Sequence, residues 1–169
     1  MRLSTVLGNI VKQPDCDAIV NSANQNLRAG SGVCGAIYKA AGPALEPYSI
    51  KLAPLGLGEA VLTPGFNLPN RHVIHTRGPR YFFDDDPPGN LAKAMRNTLL
   101  LAEEERLARI AVPAISMGIF AYPPEEAVPI LVGTALETGK DLRDVEEVRF
   151  VVMDGDLFER FANEIERNG

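Results

Sequence analysis

The sequence contains few of the residues on which disulfide scaffolds and metal sites depend. Two cysteines, Cys16 and Cys34, occur in 169 residues, and we expect both thiols to be reduced because so few cannot form a disulfide framework. His72 and His75 are the only histidines, and no spacing among these four residues is typical of metal ligands. The sequence therefore indicates no metal site and no organic cofactor.

Cations and long apolar runs are also scarce. Lys and Arg number 17 against 22 Asp and Glu, which gives a net charge of -5, whereas binding to nucleic acid or anionic membrane needs a face rich in Lys and Arg. No apolar run is long enough to cross a bilayer, and the first residues lack the apolar core of a signal peptide. We expect a cytoplasmic monomer. A small anionic ligand remains compatible with this charge, because helix N-termini and main-chain amides bind phosphate without cations.

The sequence does contain a regular alternation of strand-like and helical patterns. Apolar, strand-like runs cover residues 17–21, 59–63, 72–76, 110–113 and 148–153. Helical patterns cover residues 33–41, 90–107 and 124–138, and a last helix follows near residue 156. Several strand-like runs are continuously apolar, as in strands that are buried on both faces. The alternation predicts a single three-layer α/β/α domain over residues 1–169, with ligands bound beyond the carboxyl ends of the strands.

Several polar residues receive structural interpretations. Three acids and two prolines make residues 84–89 an exposed loop, and Asn90 is then the expected cap of the helix that follows. Asp156 is the expected cap of the last helix. The acids of residues 103–105 are expected to form a solvated helix end, and His75 to be a hydrogen-bonded residue of the core.

Two glycine-containing loops point to an anion site. The first follows the run at residues 17–21 and contains Gly30, Gly32 and Gly35, which allow close backbone approach. It opens a helix at about Val33, whose first N–H groups are unpaired and lie at the positive end of the helix dipole.

The second loop follows the run at residues 110–113. It contains Gly118 between Ser116 and Phe120 and leads into another helix. A single loop of this kind is equally well explained as a tight connection. Two amide clusters together could hold the two phosphates of a diphosphate.

At this point the chain resembles the macrodomain family, from about Leu3 to Ile165. The segments that carry the resemblance are Gly8-Asn9-Ile10, residues 17–37, Gly58-Glu59-Ala60, residues 63–69, residues 73–76 with Gly78-Pro79, residues 115–120 and residues 150–154. The resemblance implies a mixed sheet between layers of helices and binding of ADP-ribose, often with hydrolysis of ADP-ribosyl or O-acetyl-ADP-ribose esters.

The resemblance also implies a role for each matching position. Asn9 and Ile10 would meet the edge of the adenine, which Met153 and Asp154 would border. Asn24 would contact the distal ribose. The remaining ligand-binding positions would surround the diphosphate and that ribose, and they are Ala23, Gly30, Gly32, Val33, Cys34, Gly35, Ser116, Met117, Gly118, Ile119 and Phe120.

The chain departs from the family pattern at four of its positions. Asn9 replaces an acid, so that adenine selectivity would be relaxed or rebalanced. Cys34 stands where the hydrolases commonly have Asp, and two interpretations follow: a thiolate that shares catalysis with Asn24, or a small packing residue, with Asn24 and the substrate's own phosphate ordering a water. Ala121 replaces a common Gly, and Met153 an aromatic residue.

Three functions are compatible with these residues. The first is hydrolysis of O-acetyl-ADP-ribose or of mono-ADP-ribosylated acidic side chains, for which proximity would be the main catalytic effect. The second is a non-catalytic reader of ADP-ribose or ADP-ribosylated protein. The third is an RNA-associated regulator, against which the acidic charge argues.

Overall fold

The structure is a computed structural model that describes all residues 1–169. Six strands form one sheet: β1 Arg2–Leu7, β2 Ala18–Ser22, β3 Ala60–Pro64, β4 His72–Thr76, β5 Arg109–Val112 and β6 Glu147–Val152. Five α-helices accompany them: α1 Gly32–Ala41, α2 Leu45–Ser49, α3 Pro87–Glu104, α4 Pro124–Gly139 and α5 Gly155–Asn168. Short 3-10 helices cover Ile10–Lys12 and Ile50–Leu52.

The sheet is mixed, as the resemblance implied. Its strand order is β1-β6-β5-β2-β4-β3, and every pair is parallel except β3 with β4. Parallel strands direct their carboxyl ends to the same edge. The segments that follow β1, β2, β5 and β6 therefore meet along one edge of the sheet.

Two apolar cores fill the spaces between the sheet and its helices. The larger core joins one sheet face to α3, α4 and α5, and includes Leu91, Met95, Leu99 and Phe161. The smaller core joins the other face to α1 and α2 through Ile37 and Leu45. This arrangement confirms the predicted three-layer architecture. No helix is long and apolar enough to span a membrane.

The predicted N-termini of two helices are wrong. Helix α3 starts at Pro87, inside the segment expected to be a loop, and Asp86 is its cap, since its side chain accepts from the Gly89 amide. Proline fits the first turn of a helix because those N–H groups have no helical partner, so Asn90 is an internal residue. Helix α5 is capped by Asp154 instead of Asp156.

Glu103 also differs from its expected solvated role. Its carboxylate accepts hydrogen bonds from the main-chain amides of Arg143, Asp144 and Val145. It thereby joins the end of α3 to the turn that precedes β6. The pKa of Glu103 is lowered: burial opposes ionisation, but these amide donors outweigh it.

Candidate functional site

A cleft lies at the edge of the sheet where the parallel strands end. It consists of two cavities, of about 200 Å³ and about 460 Å³. Gly32 and Val33 line both cavities on one side, and Ala114 and Gly118 line both on the other. The two cavities therefore form one elongated cleft between the start of α1 and the segment after β5.

The start of α1 presents unpaired amides to this cleft. Ser31 is the N-cap residue, but its side chain forms no capping hydrogen bond. The N–H groups of Ser31, Gly32 and Val33 donate to no other group of the chain. Gly32 has a φ of 59°, which glycine adopts without strain. The first turn therefore directs free donors and the positive end of a helix dipole into the cleft.

The segment after β5 supplies a second set of free amides. Within this turn, the Ala121 amide donates to the Gly118 oxygen and the Tyr122 amide to the Ser116 oxygen. These bonds leave the N–H groups of three successive residues, Gly118, Ile119 and Phe120, without an acceptor in the chain. Both walls of the cleft are thus rich in main-chain donors.

Ser116 occupies an unusual position in this turn. Its φ is 66°, in the left-handed region that non-glycine residues rarely adopt. Its side chain is buried, and its hydroxyl oxygen has no hydrogen-bond partner although it lines the first cavity. Backbone strain and unpaired buried polar groups are both concentrated at ligand sites. An oxygen-rich ligand in the first cavity would supply the missing partner.

Asn24 lies in the first cavity, where its side chain also organises its own loop. Its Nδ2 donates to the Arg28 carbonyl at 2.8 Å, and its Oδ1 accepts from the Arg28 amide at 3.1 Å. Each of these atoms has capacity for one further hydrogen bond. Asn24 can therefore contact a ligand without releasing the loop.

Cys34 lies in the first turn of α1 as a buried thiol. Its Sγ accepts from Asn21 Nδ2 at 3.7 Å and donates to the Arg28 carbonyl at 3.5 Å. Burial is the main cause that raises the pKa of this thiol. The protonated form therefore joins β2, the loop and α1.

A chain of buried polar groups continues from Cys34 beneath the cleft. Asn21 Nδ2 donates to His75 Nδ1 at 3.0 Å, so His75 carries its proton on Nε2, 2.9 Å from Thr63 Oγ1. Burial lowers the pKa of His75 to about 4. His75 is thus the neutral, hydrogen-bonded core residue that the sequence predicted.

The second cavity is lined by Asn9, Ile10, Met153 and Asp154. The side-chain oxygen of Asn9 accepts from the Val11 amide at 3.1 Å. Asp154 uses Oδ1 to accept from the first amides of α5, and Met153 is 80% exposed. The cavity therefore combines an apolar wall with one amide and one carboxylate.

Cations are absent from the lining of both cavities. Cys34 and Asp154 are the only ionisable residues among the lining side chains. A ligand phosphate held here would be neutralised by main-chain dipoles and not by Lys or Arg.

Fourteen of the sixteen predicted binding residues line this cleft. Ala23 does not, because it is buried against Leu27 and Leu55. Gly35 lies in a separate groove, and a Cβ atom at this position would collide with the Gly30 carbonyl. Its lack of a side chain therefore lets the loop pack closely on α1.

Several lining residues were not predicted. They are Ser22, Ser31, Ala114, Gly8, Ala36, Val151, Val152 and Leu157. Ser31 and Ala114 belong to the two glycine-containing loops, so they could have been predicted as lining residues from their place in the sequence. Leu157 lines the cleft from the first turn of α5, which was expected to begin one or two residues later.

The family model described as Macro domain matches residues 20–131. A macro domain-containing protein of Ralstonia nicotianae is 45% identical over 150 residues, which cover 88% of this chain and 88% of that protein. ADP-ribose glycohydrolase MACROD2 of Xenopus laevis is 38% identical over 160 residues, which cover 91% of this chain but 38% of that protein.

A solved structure is similar over almost the whole chain. A mutant of the Oceanobacillus iheyensis macrodomain with ADPR superimposes with a TM-score of 0.93 at 33% sequence identity. The match covers 98% of this chain and 92% of that one.

Proposed function

This chain belongs to the macro domain family, and we propose that it binds ADP-ribose in the cleft at the edge of its sheet. The diphosphate lies between the free amides of α1 and those of residues 118–120. The adenine occupies the second cavity beside Asn9 and Ile10, and the distal ribose occupies the first cavity beside Asn24. The similar Oceanobacillus macrodomain, solved with ADPR, supports this proposal.

One observation carries the proposal: two sets of unpaired main-chain amides face a cleft without cations. Two sets of free N–H donors on opposite walls of a cleft suit a ligand with two linked phosphates, because main-chain amides can bind phosphate without cations. The unpaired Ser116 hydroxyl adds a fourth donor to the wall formed by residues 118–120.

We further propose that the protein hydrolyses ester-linked ADP-ribose, either O-acetyl-ADP-ribose or ADP-ribose on an acidic side chain. A water held between Asn24 and a phosphate oxygen adds to the carbonyl carbon of the ester. The bond from that carbon to the ribose oxygen then breaks, and the carboxylic acid and ADP-ribose are released. Holding that water beside the ester is the main catalytic effect. The similarity to a relative named ADP-ribose glycohydrolase supports this activity.

In this mechanism, Cys34 is a packing residue that positions the loop. Its raised pKa keeps the thiol protonated, and a neutral thiol is a poor base. A bound diphosphate would favour the protonated form further, because a nearby negative charge opposes formation of a thiolate.

The second candidate is a reader that binds ADP-ribose without hydrolysing it. The neutral Cys34 thiol favours it, since no lining side chain other than the distant Asp154 is then an obvious base.

Calorimetry and an incubation separate these proposals. Titration with ADP-ribose should give saturable heat, and none at millimolar nucleotide would refute binding in either role. Incubation with mono-ADP-ribosylated protein and with O-acetyl-ADP-ribose should release ADP-ribose above a buffer blank. Binding without such release would identify a reader.

A further inference from the structure

Four large apolar side chains are much more exposed than any other in the molecule, and two of them line the cleft. Ile119 is 84% exposed, Phe83 and Met153 are each 80% exposed, and Phe82 is 73% exposed. Ile119 and Met153 line the two cavities. Exposed apolar side chains that cluster are typical of interaction surfaces.

Phe82 and Phe83 are tied to the wall of the first cavity. The amide of Tyr81 donates to the Phe120 carbonyl at 2.9 Å, and Phe120 lines that cavity. The two phenylalanines therefore follow directly on a residue that is hydrogen-bonded to the lining of the first cavity. Phe82, Phe83 and Ile119 are called the aromatic rim below.

The two phenylalanines of the aromatic rim each pack against a neighbouring side chain even though they are exposed. Phe82 packs edge-on against Tyr81 with ring centroids 5.0 Å apart, and Tyr81 packs in the same way on the buried Tyr122 at 4.9 Å. The guanidinium of Arg80 lies 5.5 Å from the centre of the Phe83 ring and is itself fixed by two hydrogen bonds to Asp84. Aromatic side chains that are already held in place lose little conformational entropy when they bind a partner.

Several carboxylates belong to the segments that carry the rim. Asp85, Asp86, Glu125 and Glu126 are exposed, and none of them forms an ion pair with a side chain of this protein. Tyr81 donates to the Glu126 carboxylate at 3.1 Å, which places this acid beside the aromatic residues. Two cations lie nearby: Arg80 is paired with Asp84, and Arg77, whose charge helps to lower the pKa of Asp84, donates to the Leu55 carbonyl. The surface therefore combines apolar side chains with more carboxylates than cations.

We propose that the aromatic rim docks the polypeptide that carries the ADP-ribosyl group, at a segment with apolar and basic residues. This inference rests on the proposed function, because the first cavity then holds the distal ribose, from which a linked protein would extend past Phe120. Free ADP-ribose and O-acetyl-ADP-ribose are too small to need the rim. A second copy of this chain would bring further acids to an already acidic surface, whereas a basic segment is complementary to it.

Binding of three ligands tests this inference by calorimetry. They are free ADP-ribose, ADP-ribose joined through its distal ribose by a non-hydrolysable link to a peptide of Lys and Leu, and the same conjugate with Glu in place of Lys. The Lys conjugate should bind at least about tenfold more tightly than free ADP-ribose, as expected when two aromatic rings become covered. The Glu conjugate should show no such gain.

A double variant, Phe82→Ser with Phe83→Ser, should lose the gain for the Lys conjugate and keep the dissociation constant for free ADP-ribose within about twofold. Leu100→Ser is the control, since Leu100 is a 47% exposed apolar residue on α3, and it should keep the gain. Both variants change exposed side chains, and their thermal unfolding should match that of the wild type.

Two results would overturn the inference alone: normal binding of free ADP-ribose without a gain for the Lys conjugate, or a gain that survives the double variant. A wild-type dimer that the double variant dissociates in light scattering would also overturn it, and would assign the rim to a second copy. Failure of free ADP-ribose to bind would instead refute the proposed function, and the inference with it.

Discussion

Asn9 uses its side-chain oxygen to accept a hydrogen bond from the Val11 amide, 3.1 Å away, and so caps the 3-10 helix Ile10–Lys12. An N–H donor must meet an oxygen, which fixes the orientation of the side-chain amide. Nδ2 is left without a partner in the chain. At the edge of the second cavity, Asn9 therefore offers a donor where a carboxylate would offer a second acceptor.

This orientation predicts that selection of adenine over hypoxanthine is lost or reversed, because the Nδ2 donor suits the 6-oxo group of hypoxanthine and repels the 6-amino group of adenine. Asn9→Asp should raise the affinity for ADP-ribose relative to inosine diphosphate ribose about tenfold, the effect of one charge-assisted hydrogen bond. Calorimetry with both nucleotides measures the ratio. An unchanged ratio in Asn9→Asp would show that the base does not contact this side chain.

The continuous apolar runs of buried parallel strands were sufficient to predict the layers and the central strands, whereas most of the cleft positions followed from the resemblance to the macrodomain family. Strand β1 was missed: it lies at the sheet edge and pairs with β6 alone, and its polar Arg2 and Ser4 bind Glu147. An edge strand of this kind has no uninterrupted apolar pattern.

Helix boundaries and polar contacts were harder to predict, since they depend on side chains from distant parts of the chain. Asp86, Asn90, Asp154 and Asp156 are all plausible caps by residue type, and only the backbone shows which amides each can reach. The contact of Glu103 with the turn before β6 joins residues 40 to 42 positions apart, a separation that no local pattern reveals.

Replacing Cys34 by Ala should change ester hydrolysis by less than about threefold, whereas loss of a general base costs on the order of a hundredfold or more. The reason is the protonated state of the buried thiol. Asn24→Ala should lower kcat at least about tenfold, because it removes the group that orders the water. Turnover of mono-ADP-ribosylated protein measures both variants. A hundredfold loss in Cys34→Ala with unchanged ADP-ribose affinity would make Cys34 catalytic.

Acidification should destabilise the fold through His75. Its pKa is lowered from 6.5 to about 4 by burial, so between these values the unfolded chain binds a proton that the folded chain does not, and stability falls as the pH decreases. The expected loss between pH 7 and pH 5 is about 2 kcal/mol in the free energy of unfolding by urea. His75→Gln should remove most of this loss and His72→Gln should retain it. An equal loss in both variants would assign the effect to other groups.

Ala121→Gly should stabilise the protein. Ala121 has a φ of 61°, and this left-handed conformation costs an alanine about 1–2 kcal/mol. The additional backbone entropy of glycine in the unfolded chain offsets about 0.5–1 kcal/mol, which leaves a net gain of up to about 1.5 kcal/mol. Urea unfolding measures this difference. Ala114→Gly, in the same segment but without a positive φ, should give no gain, and an equal gain there would argue against strain as the cause.

Salt should weaken binding of ADP-ribose very little. Neither cavity is lined by Lys or Arg, and the whole chain carries a net charge of -5, so the long-range interaction with an anionic ligand is repulsive and salt screens it. Main-chain amides in contact with the phosphates are screened less than exposed charges. Between 50 mM and 500 mM NaCl, the dissociation constant should therefore rise by less than about threefold, or fall. Calorimetric titrations at the two NaCl concentrations measure this change. The same titrations in a second salt of equal ionic strength are the control for specific binding of the anion. A rise of tenfold or more in both salts would mean that side-chain cations hold the diphosphate, contrary to the cleft described above.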